Sequence, residues 1–353
     1  MPAISPLGIG PMSEDVIAAV YEYSAQENCP LMLIASKNQV DYDRGYVLHT
    51  REYREYLDRM KAKYPAANVY ICRDHCGPGH NSIFDLTDTY VTIDTDLEHG
   101  FDLIHVDFCF CPGGYERILE ESKKAIEYIQ RKSPHTLIEI GTDENTGTNV
   151  EDALRAEEQM KFFTSFMKPH FVVLQTGTII KEVRQEGLFH EDYVKKLRLL
   201  ADKYDIAIKE HNADYLSAAE IQRRRGVVDA VNVAPQFGVL QTQLTLLRAN
   251  QYGLDISEFL EVAYRSRKWE KWLLHNKASN KYLCSVIAGH YNFRSDAYKR
   301  LYEGIMQHED FSLAVRQAVQ QILSLYINNL FAPRLVSAIS FTYGREGNQA
   351  GAS

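Results

Sequence analysis

Eight short apolar runs, separated by longer amphipathic stretches, constrain this chain more than anything else in it. They fall at 3–9, 31–35 ("LMLIA"), 68–72 ("NVYIC"), 103–107 ("LIHVD"), 136–140 ("TLIEI"), 171–175 ("FVVLQ"), 206–209 ("IAIK") and 229–233 ("DAVNV"). Their apolar character is continuous rather than alternating, which suits parallel strands buried on both faces. The first run is the weakest, because it holds Pro6. The stretches between them keep a helical period. In "YERILEESKKAIEYIQRK" the apolar residues stand at 118, 119, 125, 126 and 129, close to 3.6 residues per turn. In "SEDVIAAVYEYSAQEN", Ser13 followed by two acids reads as an N-cap. Eight successive βα units predict an α/β chain folded as a closed (β/α)8 TIM barrel. A doubly wound open sheet is the competing arrangement, but no GxGxxG follows an early strand. The expected organisation is a barrel over 1–250, a helical C-terminal extension packed on it over 251–343, and a flexible tail over 344–353.

The formal net charge is −8. That argues against a general nucleic-acid surface, which needs clustered positive charge. No stretch approaches the roughly 20 apolar residues of a membrane helix. The N-terminus has neither a basic region nor a signal-like apolar core. A soluble cytoplasmic protein with reduced cysteines is the expectation.

In a TIM barrel the chemistry sits at the C-terminal ends of the strands. Here polar residues gather where the apolar runs stop. Asn38 and Gln39 follow the second run, and Arg73, Asp74 and His75 the third. His105 and Asp107 lie on the fourth, Glu139 on the fifth, and Gln175 at the end of the sixth. Lys209, Glu210, His211, Asn212 and Asp214 close the seventh, and Asn232 lies on the eighth. This set suits a metal-assisted reaction. His75, His211 and Glu139 come from different strands, and a catalytic zinc commonly takes three protein ligands. Mixed imidazole and carboxylate ligation also suits other divalent ions. Asp74 would act as acid or base beside them. Each residue also has an ordinary structural role open to it. A DH pair after a strand can be a polar turn or a helix cap. His105 can be a satisfied core histidine. Asn38 and Gln39 can simply close a turn. Glu139 can form an ion pair inside the barrel, to Arg73 or Lys209, since a lone buried carboxylate is costly.

Taken in order, the motifs resemble those of the class II, metal-dependent sugar-phosphate aldolase superfamily. They are most similar to the non-catalytic Z-subunit branch of tagatose-1,6-bisphosphate aldolase. The resemblance rests on "SKNQV", "RDHCGPGH", "FDLIHVDFCF", "IEIGTDE", "VVLQTGT", "KEHNADYL" and "NVAPQFGVLQTQLTLL", and spans about residues 8–300. It implies a divalent metal, zinc first, held by His75 and His211. It implies proton transfer by Asp74, a catalytic or ligating role for Glu139, and ketose contact by Asn232. The remaining substrate candidates are Asn38, Gln39, His80, His105, Asp107, Gln175, Asn212, Asp214 and Arg294. Two departures stand out. The sixth strand end, "LQTGTII", lacks the family's histidine, leaving Gln175 or Thr178 to face the site. The phosphate loop after the seventh strand is replaced by "HNADY". Arg265, Arg267, Lys268 or Arg294 would have to compensate.

The implied activity is retro-aldol chemistry on a ketose or ketose phosphate, as an aldolase or a C4-epimerase. A non-catalytic subunit that stabilises a separate class II aldolase is one alternative. An aldolase-like enzyme of altered specificity, in specialised or surface-sugar metabolism, is another. The expected partners are a sugar or sugar phosphate and further copies of the chain, or a catalytic aldolase subunit. Nucleic acid and membrane are not among them.

Overall fold

The computed structural model describes residues 4–141, 152–274 and 277–330. Eight parallel strands close into a barrel: β1 (Leu7–Ile9), β2 (Leu31–Ser36), β3 (Val69–Cys76), β4 (Leu103–Val106), β5 (Leu137–Ile140), β6 (Phe171–Val173), β7 (Ala207–Glu210) and β8 (Ala230–Val233). Each pairs with its sequence neighbour, and β8 returns to β1 through Leu7↔Val231 and Ile9↔Val233. The chain is therefore a (β/α)8 TIM barrel. Around it lie α1 (Glu14–Glu27), α2 (Thr50–Lys63), α3 (Leu86–Glu98), α4 (Tyr115–Lys132), α5 (Asp152–Thr164), α6 (Glu191–Tyr204), α7 (Ala218–Gln222) and α8 (Pro235–Gln251). Ser13 caps α1 by accepting from the Val16 N–H, and α4 covers the expected periodic stretch.

Four more helices follow: α9 (Ser257–Arg265), α10 (Lys281–Ala288), α11 (Asp296–Met306) and α12 (Phe311–Leu330). The last packs on α1, α7 and α8. Its Tyr326 hydroxyl donates to the Ala213 carbonyl, 2.5 Å away, beyond the end of β7. The expected tail at 344–353, and 331–343 before it, lie outside the described residues. Among the described residues no helix is long and apolar enough to cross a membrane.

The barrel interior follows the two-residue period of strands. Met32, Ile34, Cys72, Leu103, Phe171, Ala207 and Ala230 form one buried cluster inside it. Two residues beyond Cys72, Leu103, Ala207 and Ala230, and beyond Leu137, which packs against them, come Asp74, His105, Lys209, Asn232 and Glu139. One layer of the barrel is thus polar and lies directly above an apolar one. The opposite faces of the strands pack on the helices.

β3 runs to Cys76, four residues beyond the expected stop at Cys72. Arg73 made the sequence look like a strand end, yet it is fully buried on the outer face. Its guanidinium meets both oxygens of Asp96 on α3 at 2.6 Å and also donates to the Ala35 and Val40 carbonyls. With four of its five N–H donors so engaged the charge can stay inside, so the strand continues past it.

Candidate active site at the mouth of the barrel

The third strand ends irregularly. Its register with β4 shifts between Arg73 and Cys76, and His75 takes a left-handed φ of 48°. Strand alternation alone would send His75 to the outer face beside Arg73. The bulge and the positive φ turn it back over the mouth, next to the inward-pointing Asp74. Gly77 follows because the chain runs against β4 there. A Cβ at this position would lie 1.6 Å from the Asp107 carbonyl oxygen.

Four side chains from β3, β4 and the end of β7 converge: Asp74, His75, His105 and His211. Their ligand atoms all lie within 4.8 Å of one another. Asp74 Oδ1 is 3.3 Å from His105 Nδ1 and 3.7 Å from His211 Nε2, and Asp74 Oδ2 is 3.8 Å from His75 Nε2. Glu139, on β5 beside His105 in register, places Oε1 3.2 Å from His211 Nε2 and 3.8 Å from His105 Nδ1. Its other oxygen is paired with the Lys209 ammonium inside the barrel. Of the two internal partners open to Glu139 in the sequence, Lys209 is the one present, and Arg73 serves α3 instead.

The surrounding contacts orient the imidazoles. Asp107 accepts from His75 Nδ1 at 2.6 Å, which leaves Nε2 for the cluster. His105 Nδ1 accepts from the His75 backbone N–H at 3.2 Å, and Nε2 lies 3.3 Å from the Gly141 carbonyl, to which it can donate. The charges set the protonation states. Burial would raise the pKa of Asp74, but His75, His211 and His105 hold it well below the carboxylate range. Burial likewise opposes the ionisation of Glu139, and Lys209 with His105 and His211 keeps it down at about 2. Burial disfavours the protonation of His75, yet Asp74 and Asp107 outweigh it and hold its pKa up at about 9. His211 is lowered, chiefly by burial.

This donor set fits a divalent cation. Nitrogen and oxygen ligands about 2.0–2.1 Å from a tetrahedral ion lie about 3.4 Å apart. The donor atoms of His75, His105 and His211 lie within 4.8 Å of one another, close enough to gather round one ion, with the Asp74 carboxylate 3.3–3.8 Å from each. The charge count agrees. Three carboxylates (Asp74, Asp107 and Glu139) face two cations, the Lys209 ammonium and the protonated His75 ring, so the cluster is short of positive charge. His105 is the member that sequence reasoning placed as a substrate contact or core residue. It supplies an imidazole where the sixth strand has none. The signal was available in the period of two, since Leu103 and His105 share the inner face of β4.

Above the cluster opens a cavity of about 390 Å³, with His75, His80, His105, Asp107, His211 and Asn212 among its lining. Gln175 and Thr178 face it as well, as expected for a sixth strand end without histidine. His80 Nε2 is 3.2 Å from Asp107 Oδ2, and its ring stacks on His75 at 5.0 Å. Asn232 lies on the inner face of β8, 4% exposed, and neither of its side-chain polar atoms has a hydrogen-bond partner in the protein. It fits there because β1 carries glycine opposite it: a Cβ on Gly8 would sit 2.2 Å from Asn232 Oδ1.

Other expected contacts are placed elsewhere. Asn38 is exposed, and its side chain donates to the His80 carbonyl at 2.7 Å, so it supports the rim from behind. Gln39 closes the turn after β2 by accepting from the Ser36 N–H at 2.9 Å. Asp214 accepts from the Ala234 and Gln236 N–H groups at 3.1 and 2.8 Å, fastening the start of α8. Arg294 lies in a different cavity and pairs with Glu52 at 3.3 Å. Arg265 and Arg267 are exposed and held by Glu261 and Glu270. The cations that do line the cavity are Lys181 and Lys271. Neither was singled out in the sequence, because each is brought in by a connection with no apolar period to mark its course.

The (β/α)8 barrel fold of this chain is shared with several solved structures. A probable tagatose 6 phosphate kinase from Sinorhizobium meliloti 1021 superposes with a TM-score of 0.77 at 15% identity, over 92% of this chain and 100% of that one. The fructuronate-tagaturonate epimerase UxaE from Cohnella laeviribosi gives 0.64 at 12% identity, over 92% and 81%. The YdjI aldolase from Escherichia coli K12 gives 0.56 at 10%, over 92% of each. At these identities the likeness is one of fold. No family model matches the chain, and no curated protein matches it in sequence.

Proposed function

We propose that this protein is a metal-dependent carbohydrate enzyme that acts on a ketose or its phosphate by retro-aldol chemistry, as an aldolase or a C4-epimerase. The convergence of Asp74, His75, His105 and His211 within 4.8 Å at the barrel mouth carries this reading. His75, His105 and His211 would hold the ion, with Glu139 at its edge, and zinc suits a nitrogen-rich set of this kind. The chemistry a bound divalent cation supplies in such a place is Lewis-acid polarisation of a carbonyl and its neighbouring hydroxyl oxygen.

The protein's own groups do the rest. Asp74, kept ionised by the imidazoles around it, takes the proton of the C4 hydroxyl. The C3–C4 bond breaks, C4 becomes an aldehyde, and the electron pair remains on the C1–C3 fragment as an enediolate. Protonation of C3 and release of both fragments is aldol cleavage. Rotation of the retained aldehyde, re-addition through its other face and return of the proton from Asp74 is epimerisation at C4. Lys209 fixes Glu139 in the anionic state, so Glu139 orients His211 and balances the cation. Asn232, buried with both polar atoms unpaired, is suited to a substrate hydroxyl. The aldolase and epimerase among the structural neighbours support both outcomes.

The test is elemental analysis of the purified chain, with NMR of a panel of ketose phosphates and ketouronates. A stoichiometric divalent ion and turnover of one class are expected. Asp74→Asn should keep most of the ion and lose activity by about 100-fold or more, the scale of a lost general base. Full activity after exhaustive chelation would refute the proposal. A chain with neither ion nor turnover would turn the reading towards a stabilising partner of a separate aldolase, an alternative that the missing sixth-strand histidine favours.

A further inference from the structure

The cavity above the cluster has a second charged wall, made by elements outside the barrel strands. One part is the connection after β6, where a short ribbon pairs Ile180–Lys181 with Arg184–Gln185. The other is the single 3-10 turn Glu270–Trp272 after α9. Lys181, Lys271 and the Trp272 ring line the cavity from these two segments.

The wall is firmly built. The Lys181 ammonium donates to the Lys271 carbonyl at 2.8 Å. The Glu182 N–H donates to the Trp272 carbonyl at 2.7 Å, and Lys277 clamps Glu182 at 2.8 Å. The Gln185 amide ties the ribbon to the end of β7 by donating to the Asn212 carbonyl at 2.8 Å.

Nearby cations are neutralised. Arg184 is paired with Glu186, Arg265 with Glu261, Arg267 with Glu270, and Lys277 with Glu182. Among the described residues Lys181 and Lys271 have no carboxylate partner within ion-pair distance. Lys271 instead rests over the Trp272 ring at 4.6 Å. Lys271 is an exposed residue that lines the cavity, and the charge of Lys268 nearby adds to its own. An anion would offset both. The cavity floor is a different kind of surface, rich in carboxylates and imidazoles. A ligand spanning the two must be negative at one end and rich in hydroxyl or carbonyl oxygens at the other.

We propose that Lys181 and Lys271 form the subsite for the anionic terminus of the substrate, a phosphate or a carboxylate on a sugar whose oxygenated end reaches the imidazole–carboxylate cluster. This deepens the function proposed above and rests on it for the word substrate, but the anion site itself does not depend on turnover. It also explains why the loop after β7 need not bind phosphate: the charge comes from the connection after β6 and from the C-terminal extension.

The experiment measures binding of inorganic phosphate and of gluconate separately, by calorimetry. It uses the full chain, the double variant Lys181→Gln/Lys271→Gln, the conservative Lys271→Arg, and Asp74→Asn as the control that disables the proposed chemistry. The wild type and Asp74→Asn should bind one of the two probes in the millimolar range or tighter. The double variant should weaken that binding by about tenfold or more, as expected for lost charge-assisted contacts, and Lys271→Arg should retain it. A preference for phosphate or gluconate identifies the source of the anion. Thermal melting shows whether the double variant is folded; if it is not, the single variant Lys271→Gln replaces it and should weaken binding in the same direction. Equal binding by wild type and the folded lysine variant, or no binding of either probe by wild type, would overturn the proposal. Loss of anion binding without any turnover in the substrate panel would leave this subsite standing and count against the reaction alone.

Discussion

Asp107 shows how much of this site depends on residues that orient their neighbours. Its carboxylate holds His75 Nδ1 at 2.6 Å, receives the Cys109 N–H at 3.2 Å and stands 3.2 Å from His80. It thus sets which nitrogen of His75 faces the cluster, the task of an outer carboxylate behind a ligating imidazole. Asp107→Asn keeps the shape but gives up the charge. The affinity for the ion is expected to fall by about 10–100-fold, read by competition with a chelating dye, while the melting temperature in excess metal stays near that of wild type. Unchanged affinity would show that the bulge and φ of 48° at His75 are enough to aim the ring. At this scale the sequence was informative where a residue's direction follows from strand alternation. Asp74 and Glu139 could be placed because each ends or crosses an apolar run. His105 obeys the same rule, yet its flanking Ile104 and Val106 made a core histidine equally plausible. Lys181, Lys271 and Arg294 could not be placed, because a loop cation's position depends on where its segment is docked.

Among the elements, β3 and α3 are joined by an ion pair, Arg73 with Asp96, both fully buried. Removing one partner leaves an uncompensated charge in the interior. Asp96→Asn is therefore expected to cost about 3–5 kcal/mol of stability, measured by chemical denaturation, and to disturb the bulge that carries His75. Substituting both residues by apolar ones should recover much of that loss. If Asp96→Asn alone is nearly neutral, the two backbone carbonyls of Ala35 and Val40 suffice to hold the guanidinium. This pair also explains why β3 runs on past its expected end, whereas β1 and β6 are shorter than their apolar runs at 3–9 and 171–175. Apolar runs located all eight barrel strands because parallel strands covered on both faces must be apolar, and the helical period located the helices between them. The end of β3 was obscured because a buried, fully bonded arginine looks like solvent-facing sequence when its partner lies 23 residues away. The two-residue ribbons at Val40–Asp41 with Leu48–His49 and at Ile180–Lys181 with Arg184–Gln185 are too short to leave a period, so they were invisible as well.

For the molecule as a whole, the question is how the C-terminal helices are held on the barrel, and Asp214 lies where they meet it. It is 1% exposed, fastens the first turn of α8 through two backbone N–H groups, and is next in sequence to Ala213, whose carbonyl receives the Tyr326 hydroxyl of α12. Burial pushes its pKa up to about 7, despite the two N–H groups that favour the anion. In the unfolded chain the same carboxyl titrates near 4. Between those values the folded protein binds the extra proton, so this group's contribution to stability is fully present below about pH 4, falls as pH rises through about 7, and is constant above that. Glu139, with its folded pKa near 2, has the opposite sign, but its gain is complete by about pH 5. With no ion bound, His75, raised to about 9, stabilises the fold below its unfolded value near 6.5 and loses that contribution only as pH climbs towards 9; with an ion on its ring that proton is displaced, and His75 drops out of the profile. Burial lowers the pKa of His170 to about 4 and of His290 to about 3, so these rings lose stability as pH falls below about 6.5, and only the difference between wild type and an Asp214 variant isolates Asp214. Asp214→Asn retains an oxygen for the two N–H groups and cannot ionise. Its melting temperature relative to wild type is expected to rise by a few °C between about pH 5 and 7.5, measured by differential scanning calorimetry on metal-saturated protein so that ion binding does not move with pH. Parallel pH profiles for the two proteins would mean that Asp214 is ionised throughout, with the N-terminus of α8 outweighing the burial of its carboxylate.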